Sequence, residues 1–209
     1  MMSKTSNVDM NQPTPFDQPA DFRKVLDFWF GPPDSNAYGR PREDWFKKSD
    51  AFDAAIRARF LQLHGQAAAG RLKAWRDAPE SLLAQIVVLD QFPRNLFRGD
   101  ARAFASDARA LAAAQLAVEK GFDRALPPVQ RWFVYLPFEH TEDLALQRRC
   151  LELFEGLRGD PESAATIDYA RRHFEIIERF GRFPHRNAVL GRTSTPEEIE
   201  FLQQPGSGF

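Results

Sequence analysis

No stretch of this chain sustains the polar–apolar alternation of a half-buried strand, and that absence constrains the fold more than any other feature. Apolar residues recur instead at three- and four-residue steps between punctuating prolines and glycines. Phe22, Val25, Leu26 and Trp29 form one stripe of a helix read as Pro19 to Phe30, which Gly31-Pro32-Pro33 stops. Trp45-Phe46 plugs the following loop back into the core. Ser49 or Asp50 caps a helix carrying Phe52, Ile56, Phe60 and Leu63, which Gly70 ends. Ser81 to Gln91 is apolar nearly all round, as a buried helix is, and its end is read at Phe92-Pro93. An alanine-rich helix follows from Asp100 to Lys120.

Pro127-Pro128 opens a short helix to about Val134 that breaks near Pro137. Thr141 is read as the cap of the next helix, with Glu142 and Asp143 in its positive first turn. Asp160-Pro161 starts a long helix that ends at Gly181, and Thr195-Pro196-Glu197-Glu198 is a capping box for a last short one. The expectation is an all-α chain of about nine helices in antiparallel pairs. Residues 1–17, polar and proline-containing, are read as a mobile leader, and residues 18–209 as one helical domain.

Composition excludes several classes of function. With 28 basic and 29 acidic residues the net charge is −1, so no global field draws the chain to nucleic acid or to an acidic membrane. No apolar run approaches the length of a membrane span, and no apolar signal core opens the chain. The single cysteine, Cys150, excludes an internal disulfide framework, and its usage suits a reducing cytoplasm. A phosphate-binding loop, a dinucleotide fingerprint and a nucleophile elbow are all missing. His140, His173 and His185 with a neighbouring carboxylate have ligand chemistry, but not the spacing of a metal motif; neither metal nor cofactor is expected.

The chemistry lies in an internal echo. One helix exit reads Asp90-Gln91-Phe92-Pro93-Arg94-Asn95, then Arg98-Gly99. The other reads Arg182-Phe183-Pro184-His185-Arg186-Asn187, then Gly191-Arg192. Arginine at a helix exit can satisfy carbonyls, or it can clamp a carboxylate or phosphate. A third segment, Pro137-Phe138-Glu139-His140-Thr141, is expected to hold Glu139 and His140 just before a helix N-terminus, where anions bind.

Two readings follow. In the first, these segments form a pocket for a small anionic ligand. Arg94, Asn95, Asp143, Arg182, Arg186 and Asn187 bind it, Glu139 or Asp90 is the base, and His140 or His185 carries the proton. In the second, the 12 % aromatic content serves a groove that binds a peptide or protein partner without catalysis. Beside both stands a purely structural role, in which the polar segments are ion-pair networks fixing helix ends. His173, on the border of an apolar stripe, reads as a satisfied core histidine, and His64 as superficial.

Val25-Leu26-Asp27-Phe28-Trp29-Phe30-Gly31, Leu89 to Asn95, Pro137 to Asp143 and Arg182 to Asn187 together resemble the DUF924 family, over about residues 20 to 205. Thr141 stands where that family commonly has serine, which keeps the hydroxyl. The resemblance implies a helical, tetratricopeptide-like array and brings no reaction, cofactor or catalytic set.

Overall fold

The structure, a computed structural model, describes residues 21–208; the proposed leader and the expected helix start at Pro19 lie outside them. Eight α-helices and six short 3-10 turns make up the described chain. α1 spans Phe22–Phe30, α2 Asp50–Ala68, α3 Pro79–Leu96 and α4 Asp107–Glu119. α5 spans Pro128–Glu139, α6 Leu144–Glu155, α7 Ala164–Phe180 and α8 Pro196–Leu202. None is long and apolar enough to cross a membrane.

Consecutive helices from α2 to α7 pack on one another, α7 meets α8 through Phe180 and Phe201, and α3 touches α1, α2, α4 and α5. That central place explains why α3 is apolar on every face: fourteen of its residues are buried, from Ser81 to Leu96. Small side chains let α4 approach, since Ala110, Ala113, Ala114 and Ala117 are all buried. The core is strongly aromatic. Trp29, Trp45, Phe92 and Phe133 interlock edge to face, with ring centroids such as Trp45–Phe133 4.8 Å apart. All four tryptophans are at most 8 % exposed.

The end of α1 shows how the loop after it is placed. Arg42 donates to the Phe28 and Trp29 carbonyls at 2.7 and 3.0 Å, and the Trp45 indole N–H also reaches the Trp29 carbonyl at 3.0 Å. These donors satisfy acceptors that the helix end leaves open. With Trp45 fixed inside, its neighbour Phe46 is turned outward, 62 % exposed.

Several helix limits differ from the sequence reading, chiefly at prolines. Pro93 lies inside α3, which continues to Leu96. A proline in a helix removes the hydrogen bond to the carbonyl four residues back. Here that acceptor, Leu89 O, takes the Ser106 hydroxyl at 2.6 Å instead. Pro137 likewise lies inside α5, which runs on to Glu139. The expected helix from Asp100 divides into a 3-10 turn, Ala101–Phe104, and α4. Pro161 opens a 3-10 turn before α7 rather than α7 itself. α6 is capped by Asp143, whose side chain accepts from the Leu146 N–H at 2.9 Å, and not by Thr141.

Candidate functional site

Extending α5 past Pro137 changes the place of two key residues. Glu139 ends that helix and His140 is its C-cap, so both stand at the negative end of α5, with the N-cap of α6 at Asp143 only a short turn further on. The neighbours they meet there come from distant parts of the chain. The ends of α3 and α5, the middle of α7, and the 3-10 turns Ala101–Phe104 and Pro184–Arg186 enclose a cavity of about 350 Å³. Arg94, Glu139, His140, His185 and Arg186 all line it.

Asp90 lies beneath the cavity with no exposed surface. Its Oδ1 meets His140 Nδ1 at 2.8 Å, and its Oδ2 accepts from the Gln91 amide at 2.7 Å. Burial opposes ionisation of this carboxyl. The hydrogen bonds from His140 and Gln91 and the Arg94 charge outweigh burial and hold it below the ordinary carboxylate range. Burial and the Arg94 charge lower His140. An ionised Asp90 holds the Nδ1–H tautomer of a neutral ring and leaves the lone pair on Nε2.

Glu139, on the other side of the same turn, behaves oppositely. It is 2 % exposed, and its Oε1 lies 3.2 Å from His173 Nδ1. Its Oε2 is buried with no hydrogen-bond partner. Burial and the Asp90 charge push this carboxyl up to about 8, against a smaller pull from Arg94. Glu139 is therefore a neutral acid at pH 7, and His140 beside it a neutral base.

The arginines of the two echoed segments converge on one carboxylate. Arg94 grips Asp107 with both terminal nitrogens at 3.1 and 3.2 Å and also reaches the Asp90 carbonyl. Arg186 comes within 3.8 Å of Asp107 and donates to the His140 carbonyl at 2.9 Å, closing the end of α5. Its guanidinium is flanked by Phe183 and Phe104, 4.4 and 4.7 Å from the ring centres. Burial and the nearby Arg94 depress Arg186 to about 10, and its Nε–H is buried without an acceptor. Burial takes His173 to about 3, and burial with the Arg186 charge takes His185 to about 4, so both rings are neutral.

The remaining named residues lie elsewhere. Asn95 donates to Asp53 of α2 at 2.7 Å, and Arg98 grips the same carboxylate at 2.9 Å. Arg182 clasps Glu198 of α8 at 2.6 and 2.8 Å. Asn187 bridges Glu198 and Arg192, and Arg192 holds Glu142 with two bonds of 2.6 and 2.9 Å. Asp143 serves only its helix cap. These contacts fasten α2 to α3, and α8 and the turn before α6 to the segment after α7.

Asp107, His173, Gln91 and Tyr169 belong to the site's surroundings and were not among the residues expected there. Asp107 falls inside the helix read from Asp100 to Lys120, where nothing in the sequence distinguishes it; it opens α4 instead. His173 shows only as a histidine on a stripe edge, and the structure makes it 4 % exposed against Glu139. His64, taken as superficial, is partly buried with Nε2 3.4 Å from the Ser106 hydroxyl. The burial of all four tryptophans removes the aromatic premise of the peptide-groove reading. Among the described residues, no group of three or more His, Cys, Asp or Glu side chains is placed to hold a metal ion.

Residues 25–206 match the family of bacterial proteins of unknown function designated DUF924. A solved structure of a protein of unknown function from Agrobacterium tumefaciens, ATU0120, is similar at 41 % identity and a TM-score of 0.77, over 87 % of this chain and 96 % of that one. No protein of curated function matches.

Proposed function

The chain belongs to the DUF924 family, and we propose that its cavity binds a small anionic molecule and is equipped to move a proton on it. One observation carries this reading: two residues that line a single cavity, Glu139 and Arg186, each keep a buried polar atom without a partner in the fold, Glu139 Oε2 and Arg186 Nε. Leaving such atoms unpaired costs on the order of 1–3 kcal/mol each, more for a charged group. An anion in the cavity would draw the Arg186 guanidinium and the neutral Glu139 carboxyl toward it, and accepting from both would offset those costs.

The acid–base pair has the order such chemistry needs. Glu139 supplies a proton from an apolar setting, while the Asp90–His140 pair presents Nε2 as the acceptor. Asp107 holds Arg94 and approaches Arg186, so the cations are oriented before any ligand arrives.

Calorimetric titration with inorganic phosphate and with acetate tests the reading. Saturable binding is expected for the native chain, weakened about tenfold in Arg186→Lys because the planar fork is lost. Arg192→Ala, outside the cavity, should leave the affinity unchanged. Absence of binding, or equal affinity in Arg186→Lys, would contradict it.

A further inference from the structure

The mouth of the cavity carries a signal that its polar floor does not explain. Five large hydrophobic side chains are exposed among the described residues: Phe46, Leu61, Tyr169, Leu190 and Ile199. Two of these are aromatic, and both line this one cavity. They come from unrelated places, Phe46 from the loop before α2 and Tyr169 from α7. Phe46 is 62 % exposed and Tyr169 50 %. Phe46 packs one edge on Trp45 and Tyr169 lies beside His173, yet each keeps half or more of its surface in water, so together they form an apolar rim that a ligand's apolar body can cover.

The interior sets the size of what covers them. The cavity of about 350 Å³ lies at the small end of the range of about 300–1,000 Å³ usual for small-ligand sites. That is ample for one ring and its anionic substituent. The rings of Phe104 and Phe183 already face the Arg186 guanidinium, so a flat body entering between rings would lead its charge to Arg186.

We infer that the ligand is an aryl anion, a single aromatic ring bearing a carboxylate or phosphate, with the ring against Phe46 and Tyr169 and the charge at Arg186. This rests on the cavity being the ligand site and adds the chemical class of its occupant. Aromatic contact raises affinity beyond that of the bare anion, and the two rims supply it without altering the floor.

Calorimetry on the full chain separates these claims, with benzoate against acetate and phenyl phosphate against inorganic phosphate. At least one aryl form should bind ten times more tightly than its bare counterpart, and whichever pair shows it identifies the anion. The double variant Phe46→Ala/Tyr169→Ala should abolish that preference and keep the bare-anion affinity. Bare anions binding as tightly as aryl ones, or a preference that survives the double variant, would overturn the inference and leave the anion site standing. No binding by any of the four would overturn both. If the double variant changes the oligomeric state in gel filtration and not the aryl preference, the rings serve a contact between copies and the inference fails.

Discussion

The two echoed segments place the same residue types at two positions and put them to two uses. In each, the arginine after Phe-Pro turns inward, and Arg94 and Arg186 approach each other at Asp107. In each, the asparagine and the arginine beside the later glycine turn outward to neighbouring carboxylates: Asn95 and Arg98 to Asp53, Asn187 to Glu198, and Arg192 to Glu142. The outward clamps pair their charges and depress their acids. Glu198 falls to about 2 through the Arg182 hydrogen bonds, which prevail over burial, and Glu142 is lowered by Arg192 despite its partial burial. The inward cluster keeps Glu139 protonated and leaves Glu139 Oε2 and Arg186 Nε unpaired. A network that completes itself serves stability; the open one is where the proposed anion site is placed.

The contrast breaks first at the clamps. Arg192→Ala strips Glu142 of two charge-assisted bonds and Asn187 of one. Thermal unfolding should register a loss of about 2–3 kcal/mol, a fall in Tm of roughly 5–10 °C, with anion binding intact. A smaller change than in Glu139→Gln at neutral pH would erase the distinction.

Glu139→Gln probes the other side through pH. The folded-state value near 8 lies above the ordinary 4.5, so proton binding favours the fold. That contribution is fully present below about pH 4.5 and is lost as pH rises through about 8. The native chain should lose roughly 2 kcal/mol of stability between about pH 6 and pH 8 from this group. Glu139→Gln should flatten that decline in Tm; an unchanged slope would place the titrating group elsewhere.

Smaller effects sharpen the comparison. The tenfold loss expected for Arg186→Lys corresponds to about 1.4 kcal/mol of binding energy, read by calorimetry. Asn95→Ala should cost about 1 kcal/mol in denaturant unfolding and nothing in phosphate affinity, because its amide serves the α2–α3 clamp. A change in affinity there would mean that the two halves of the echoed segment are not separable.

Helical class was legible because it is local: caps such as Ser49 and Thr195, the glycine at Gly181 with φ 69°, and periodic apolar stripes each act within a few residues. Helix ends at Pro93 and Pro137 were misread because the sequence does not reveal a tertiary donor. Ser106 reaches Leu89 O from seventeen positions away. The same limit governs the site. Phe-Pro-Arg-Asn marked where chemistry gathers, yet nothing in that spacing separates the inward Arg186 from the outward Asn187. Asp107 and His173 matter only because folding brings them to Arg94 and Glu139, across thirteen and thirty-four positions.

The central claim is that Glu139 is unsatisfied within the fold, and carbon-13 NMR titration of the glutamate carboxyls tests it most directly. Glu139→Gln assigns the signal. One glutamate should titrate near 8, far above the ordinary 4.5, and its signal should move when inorganic phosphate or phenyl phosphate saturates the protein. If every glutamate titrates in the ordinary range and none responds to either anion, the inward cluster is a clamp like the others.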